Sequence, residues 1–306
     1  MLKKVSVIGA GFVGATLAQR IIEGNIADVV LVDIAGNIAA GKALDMSDAA
    51  PIVGHERTIL GTTRYEEIRD SDIVVITAGL ARKPGMTRED LIAKNAAIMK
   101  DVCANIKKYT PSSIVIVVTN PLDSMTYLAQ KCTGSSREKV FGMAGILDGS
   151  RFIQLLSEKL RVPRSSITTY MLGSHGDTMV PVISQTFVSG KPVKDMISAQ
   201  DLEKIIERTR DRGAEIVSLL GTGSAYYSPS AAVFSMIKAI SDDAKDILVV
   251  SACLSGEYGL NDLSIGVPCK IGRKGIVQIV EIDLSSEEKE ALLRSAQSIK
   301  SSTKLL

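Results

Sequence analysis

The feature that most constrains the fold lies within the first turn of the chain. VSVIGAGFVG sets a β-branched run directly ahead of Gly9, Gly11 and Gly14, and an apolar helical pattern follows at once. Glycine weakens the interior of any regular element, because it loses more backbone freedom on ordering than other residues do. Gly-x-Gly-x-x-Gly between a strand and a helix therefore predicts a turn built against a dinucleotide. Gly9 is expected to make the tight turn, Gly11 to let the backbone approach a pyrophosphate, and Gly14 to let helix and strand pack closely. The free N–H groups and the dipole of the helix start supply the positive end that phosphates need. The next strand, VVLVD, ends in Asp33, about 20 residues beyond the last glycine, where a carboxylate accepts hydrogen bonds from the adenosine ribose and repels a 2′-phosphate. No Arg or Lys follows Asp33 before Lys42, so NAD is expected rather than NADP.

The rest of the first half fits that start. Nearly continuous Val and Ile runs at 4–8, 28–33, 72–77 and 113–119 alternate with helical segments such as 11–23 and 88–108. Strands without polar alternation belong to sheets covered on both faces. The alternation with helices implies right-handed crossovers and a doubly wound parallel sheet of the α/β class. The second half has another texture. Residues 201–220 read as an amphipathic helix with Leu202, Ile205, Ile206, Ile216, Leu219 and Leu220 on one stripe. Segments 246–254, 265–271 and 275–283 read as strands, with Gly272 to Gly275 as a hairpin turn between the last two. Ser285 and Glu288 form a capping box ahead of a final helix. An α/β nucleotide domain over 1–143 and an α+β substrate domain over 144–306 are expected.

Composition excludes several classes. The 36 basic and 34 acidic residues leave a net charge of +2, which argues against nucleic acid or an anionic membrane as the main partner. The four cysteines lie far apart and form no Cys-x-x-Cys pair, so no zinc site or disulfide framework is expected and a reducing compartment fits best. No apolar run approaches the roughly 20 residues that span a bilayer. Val5 to Ile8 is too short for a signal-peptide core, so a cytoplasmic protein is expected.

Of the two histidines, His55 lies in the polar stretch PIVGHERT and is expected at the surface. His175 lies in MLGSHGDTMVP, where flanking glycines and a following proline predict irregular backbone that reaches into a cleft. A histidine gives and takes a proton near neutral pH, as hydride removal from an alcohol requires. A carboxylate behind the ring fixes its tautomer and favours its charged form, and Asp148 in GILDGSRF is the candidate. Arg151, three residues on, shares a helix face with it and offers a planar fork suited to a carboxylate. LARKPGMTREDL gathers Arg82, Lys83 and Arg88 after the third strand, at the sheet edge where ligands bind, although a solvated basic loop reads the same way. VTNPLD offers Asn120, either a helix cap or an amide for a substrate oxygen.

GAGFVG with VVLVD, AGLARKPGMTREDL, VVTNPLD, GILDGSRF and GSHGDTMVP, in that order along essentially the whole chain, resemble the lactate/malate dehydrogenase family. The resemblance implies a Rossmann domain followed by an α+β substrate domain. It implies His175 as acid/base catalyst, Asp148 as the carboxylate that orients it, and Arg88 as the loop arginine that polarises the reacting carbonyl. It implies that Arg151 grips the C1 carboxylate and that Asn120 contacts substrate. NAD contacts fall on Gly9, Ala10, Gly11, Phe12, Val13, Gly14, Asp33, Asn95, Val118, Thr119 and Asn120. Lactate-type members carry Gln where this chain has Arg82, and malate-type members carry Arg. A second substrate carboxylate facing Arg is paired, whereas facing Gln it is poorly compensated. Thr178-Met179 and the small Ala225 also resemble the malate type, in the branch closest to the lactate type. The implied reaction is NAD-dependent oxidation of (S)-malate to oxaloacetate in the tricarboxylic acid cycle. A lactate-type enzyme and a non-catalytic NAD sensor remain alternatives. The family implies a homo-oligomer, a homotetramer first and a dimer second.

Overall fold

The structure, a computed structural model, describes residues 2–80 and 86–306. Six parallel strands form the amino-terminal half: β1 (Lys4–Ile8), β2 (Asp28–Val32), β3 (Ile59–Thr62), β4 (Ile73–Ile76), β5 (Ile114–Val117) and β6 (Val140–Met143). Their spatial order is β3-β2-β1-β4-β5-β6. The reversal at β1 opens a crevice beyond the carboxyl ends of β1 and β4, where ligands of such sheets bind. Helices α1 (Phe12–Glu23), α2 (Gly36–Val53), α3 (Arg88–Tyr109) and α4 (Leu122–Thr133) make the crossovers, and α5 (Gly145–Leu160) follows β6.

The pleat explains why these strands carry apolar residues at every position. Ile73 and Val75 face one layer, with Leu17 and Ile21 of α1. Val74 and Ile76 face the other, with Met99, Val102 and Ile106 of α3. Both faces are dry, so neither tolerates polar alternation.

The sheet does not stop at β6. After β7 (Ile167–Thr168), β8 (Met171–Gly173), β9 (Met179–Pro181), β10 (Phe187–Val188) and β11 (Lys191–Pro192) come α6 (Ala199–Leu220) and α7 (Tyr227–Asp242). Then follow β12 (Ile247–Ser255), β13 (Asn261–Gly272), β14 (Gly275–Ile279) and α8 (Ser286–Thr303). β12 pairs antiparallel with β6, and β13, β8 and β9 extend the same sheet. The whole is a mixed α/β fold with a parallel core. Among the described residues no helix is long and apolar enough to cross a membrane.

Three expectations are corrected. The strand expected over 275–283 ends at Ile279. Beyond it the Val280 N–H still reaches the Pro268 carbonyl of β13, but the Tyr258 hydroxyl donates to the Val280 carbonyl and accepts from the Ile282 N–H in place of a partner strand. The apolar stripe of α6 is buried only in its first half. Leu202 and Ile205 are in the core, whereas Leu219 is 83% and Leu220 47% exposed, because no element among the described residues covers the end of α6. His55 is not at the surface: it is buried, and neither ring nitrogen has a hydrogen-bond partner. Its place follows from the end of α2. Gly54 takes a left-handed conformation, and the N–H groups of Gly54 and His55 both return to the Ala50 carbonyl. The residue after such a glycine packs back against its own helix.

Candidate active site

The glycine loop has the expected geometry. Gly9 ends β1 at φ 109°, and a side chain there would meet Thr77 Oγ1 at 2.7 Å and the Ala78 N–H nitrogen at 2.8 Å. A Cβ on Gly14 would collide with the Gly9 carbonyl oxygen, so α1 lies against the strand end only because Gly14 has none. A Cβ on Gly11 would meet nothing within 4 Å. The space beside Gly11 is therefore not filled by protein, which fits a backbone left bare for a phosphate. Ala10 donates its N–H to Asp33 Oδ2 at 2.6 Å, and Asp33 Oδ1 accepts from Ala35 N–H at 2.9 Å. These bonds hold the carboxylate at the end of β2. Lys42 returns to the loop: its ammonium donates to the Ala10 carbonyl at 2.6 Å and lies over the Phe12 ring. Phe12 stacks on Tyr226, just before α7, so the substrate half closes over the glycine loop.

A cavity of about 530 Å³ runs from Val13 past Val118, Thr119 and Asn120 to Arg151 and His175. It lies over the carboxyl ends of the parallel strands. A larger cavity, about 740 Å³, lies at their amino ends among Leu2, Asp72, Ile114 and Arg273. Volume does not locate chemistry; convergent polar groups do, and they converge in the smaller space. Thr119 Oγ1 donates to the Ala78 carbonyl at 2.7 Å, which ties the ends of β4 and β5 together. Asn95, expected to touch the cofactor, is buried with its amide engaged. It donates to the Leu80 and Asn120 carbonyls and accepts from the Leu80 N–H, so it supports the two loops that line the crevice.

His175 follows β8 on a loop pinned from several sides. The Ser174 N–H donates to Ser295 Oγ of α8 at 2.8 Å, and the Ser174 and Thr178 hydroxyls share a 2.7 Å hydrogen bond. Nδ1 of His175 meets Asp148 Oδ2 at 2.8 Å, which leaves Nε2 for a ligand. Its side chain is 13% exposed and that of Asp148 2%. Burial works against the imidazolium. The charge and hydrogen bond of Asp148, with a smaller contribution from Asp123, outweigh it, and Arg151 opposes them; the net direction is upward. Arg151, one turn along α5, reaches Asp148 Oδ1 at 3.4 Å, and its Nε is buried without a hydrogen-bond partner. Burial lowers its pKa, Asp148 raises it and nearby Arg212 lowers it again. A guanidinium so placed has donors to spare for an anionic ligand.

The sequence-expected residues are thus largely brought together: His175, Asp148 and Arg151 meet at one end of the cavity whose other end is the glycine loop, and Asn120 lines the same cavity. Arg82 lies outside the described residues, as do Lys83 and the side chain of Arg88; the backbone of Arg88 opens α3 behind the Thr87 capping box. Asp123, three residues after Asn120, is a site residue that sequence reasoning missed. It is buried, and its Oδ2 accepts the backbone N–H of His175 at 2.9 Å.

Comparison with known proteins gives the family context. A model of the lactate/malate dehydrogenase NAD binding domain matches residues 3–142, and one of the lactate/malate dehydrogenase alpha/beta C-terminal domain matches residues 146–305. Malate dehydrogenase of Bacillus mycoides (strain KBAB4) is 49% identical over 306 residues, which covers 99% of this chain and 98% of that protein. Crystal structures are similarly close. Malate dehydrogenase of Cryptosporidium parvum superposes with a TM-score of 0.96 at 40% identity, covering 99% of this chain and 98% of that one. Lactate dehydrogenase of the same organism, complexed with lactic acid and β-nicotinamide adenine dinucleotide, superposes with a TM-score of 0.96 at 37% identity, covering 100% and 98%.

Proposed function

The chain belongs to the lactate/malate dehydrogenase family, and from that premise we propose that it interconverts (S)-malate and oxaloacetate with NAD, a step of the tricarboxylic acid cycle. The observation that carries this reading is the His175–Asp148 pair beside Arg151, at the end of a cavity that begins at a dinucleotide loop. The cofactor fits the residues present: bare space at Gly11, Asp33 fixed at the end of β2, and a lining of Val13, Val118 and Thr119. When bound, the nicotinamide takes up or returns the hydride at C2 of the substrate.

The chain's own groups do the rest. Arg151 holds the C1 carboxylate, because its fork is only partly engaged by Asp148. His175 takes the hydroxyl proton at Nε2 in malate oxidation and returns it in oxaloacetate reduction. Asp148 holds Nδ1 protonated and stabilises the imidazolium that forms. Arg88 polarises the C2 oxygen; Leu91, three residues along the same helix, lines the cavity. Asn120 bonds a substrate oxygen from the cavity wall. Gly9 to Gly14, Asp33, Val118 and Thr119 bind NAD, and Asn95 supports them from behind.

Arg82 pairs the second carboxylate of oxaloacetate, and Ala225, which lines the cavity, leaves room for it. Replacing Arg82 by Gln is expected to lower kcat/KM for oxaloacetate by about 3 kcal/mol, roughly 10²-fold, because a desolvated carboxylate loses its partner. Pyruvate reduction should change little. Following NADH absorbance with both acids in parallel checks this, and an equal loss on both removes Arg82 from the specificity role.

The pH dependence has a defined sign. Oxaloacetate reduction consumes the imidazolium, which persists below the raised pKa of His175 and is lost as pH climbs through it. Reduction is therefore expected to hold beyond the ordinary histidine value of about 6.5 and then to fall tenfold per pH unit. Malate oxidation, which needs neutral His175, rises through the same window. Parallel pH profiles of kcat/KM in the two directions check it.

The test of the whole reading offers oxaloacetate and pyruvate with NADH, then with NADPH. Strong preference for oxaloacetate and NADH is expected; preference for pyruvate overturns the substrate, and binding without turnover overturns the enzyme. A functional division at 143/144 is part of the reading, supported by the two family-model ranges. So is a homo-oligomer, a tetramer by preference. Its support is apolar surface left bare: Leu44, Ile52 and Val53 on α2, with Leu219 and Leu220 on α6. A cytoplasmic setting goes with four free cysteines, three of them buried.

A further inference from the structure

Asp123 and Asp148 are the two buried carboxylates among the described residues, and the reaction above uses only one of them. Asp123 sits in the first turn of α4. Its Oδ2 accepts the backbone N–H of His175 at 2.9 Å, and its Oδ1 accepts the Ser251 hydroxyl of β12 at 2.7 Å. Both partners are neutral, and an uncharged amide in the same place could keep both: its oxygen accepts the His175 N–H, and its NH2 donates to the Ser251 hydroxyl, which turns round to accept. A buried carboxylate costs far more than a buried amide unless a positive charge faces it. The groups that face His175 are Asp148 and Arg151 from α5 and Asp123 from α4. Those that face Asp123 are Ser251 from β12, His175 from its loop, and Asp148. The positive charge that acts on Asp123 is therefore that of the His175 ring, in the protonated state that the reaction creates.

We infer that Asp123 is a second positioning residue for His175: its carboxylate fixes the catalytic loop by its backbone, and its charge favours the imidazolium. This rests on the reading of His175 as the acid/base group. Asp148 orients the ring from Nδ1, and Asp123 holds the main chain that carries the ring. Burial pushes the Asp123 carboxyl up to about 6, against the Ser251 hydroxyl, the His175 N–H and the His175 ring, which pull it down. Above that value the carboxylate carries its charge, and it does so beside the His175 ring that takes up the proton.

Two histidines in the chain make a direct test possible. In the full-length protein labelled at histidine Cε1, the His175 resonance is identified by its loss in His175→Asn and titrated by NMR. Asp123→Asn removes the charge, keeps the acceptor for the His175 N–H and reverses the bond to Ser251, whose hydroxyl then accepts. It is expected to move the His175 midpoint down by about one pH unit, and the falling limb of oxaloacetate reduction with it. Ser251→Ala keeps the charge but removes a hydrogen bond from the carboxylate, which then protonates at higher pH. It should move the midpoint in the same direction by less. An unchanged midpoint in Asp123→Asn overturns the inference. If that variant fails to fold, an unchanged midpoint in Ser251→Ala does so. The titration needs no turnover, so a parent chain that fails to reduce oxaloacetate would count against the proposed reaction and not against this coupling.

Discussion

Replacing His175 by Asn is expected to lower turnover by about 10²–10⁴-fold, the usual worth of a positioned acid/base group, while NADH binding stays close to that of the parent chain. The reasons for the two halves of that result differ. Asn cannot exchange a proton near neutral pH, so both directions lose their proton relay. The glycine loop and Asp33 sit at the other end of the cavity, held by bonds to Ala10 and Ala35 that do not involve the catalytic loop. The backbone N–H of residue 175 still reaches Asp123, so the loop keeps its anchor. Single-turnover measurements with NADH fluorescence separate binding from chemistry. Near-normal turnover would remove His175 from the reaction.

Arg151→Gln is the second large effect. The guanidinium is 12% exposed and its Nε has no hydrogen-bond partner. Removing it leaves a substrate carboxylate without its partner and Asp148 with His175 alone. Such losses run to about 3–5 kcal/mol, or about 10²–10⁴-fold in kcat/KM. Arg151→Lys restores a charge without the fork and should recover only part of the loss. Unlike the change at Arg82, this one should fall equally on oxaloacetate and pyruvate, since both present a C1 carboxylate. A loss confined to one acid would show that Arg151 does not hold the shared group.

What could be read from the chain alone follows physical locality. The glycine loop is legible because two of its glycines answer to local demands, Gly14 to Gly9 and Gly11 to empty space, although Gly9 itself answers to the distant Thr77 and Ala78. His175, Asp148 and Arg151 are legible because the pairing of their chemistries is implied by a family order of motifs. Asp123 was not legible, although it stands in a stretch singled out for Asn120. An Asp in the first turn of a helix reads as a complement to the helix dipole, and its partner Ser251 is 128 residues away on β12. His55 misled because its flanks are polar; the left-handed Gly54 that tucks it inwards was the overlooked signal. The α6 stripe misled in the opposite way. Periodicity shows that a face wants covering, not which chain covers it.

The pairing of β6 with both β5 and β12 has a consequence for how the molecule can be taken apart. Cut between 143 and 144, the amino-terminal piece would end in a bare, wholly apolar edge, Val140 to Met143, with unsatisfied main-chain groups along one side. Such edges recruit other strands and aggregate. The carboxyl-terminal piece would bear the matching raw edge on β12. The nucleotide-binding and substrate-binding halves are thus divisible by task and not by folding. Neither is a module that could be exchanged or expressed alone without a new edge strand to finish it.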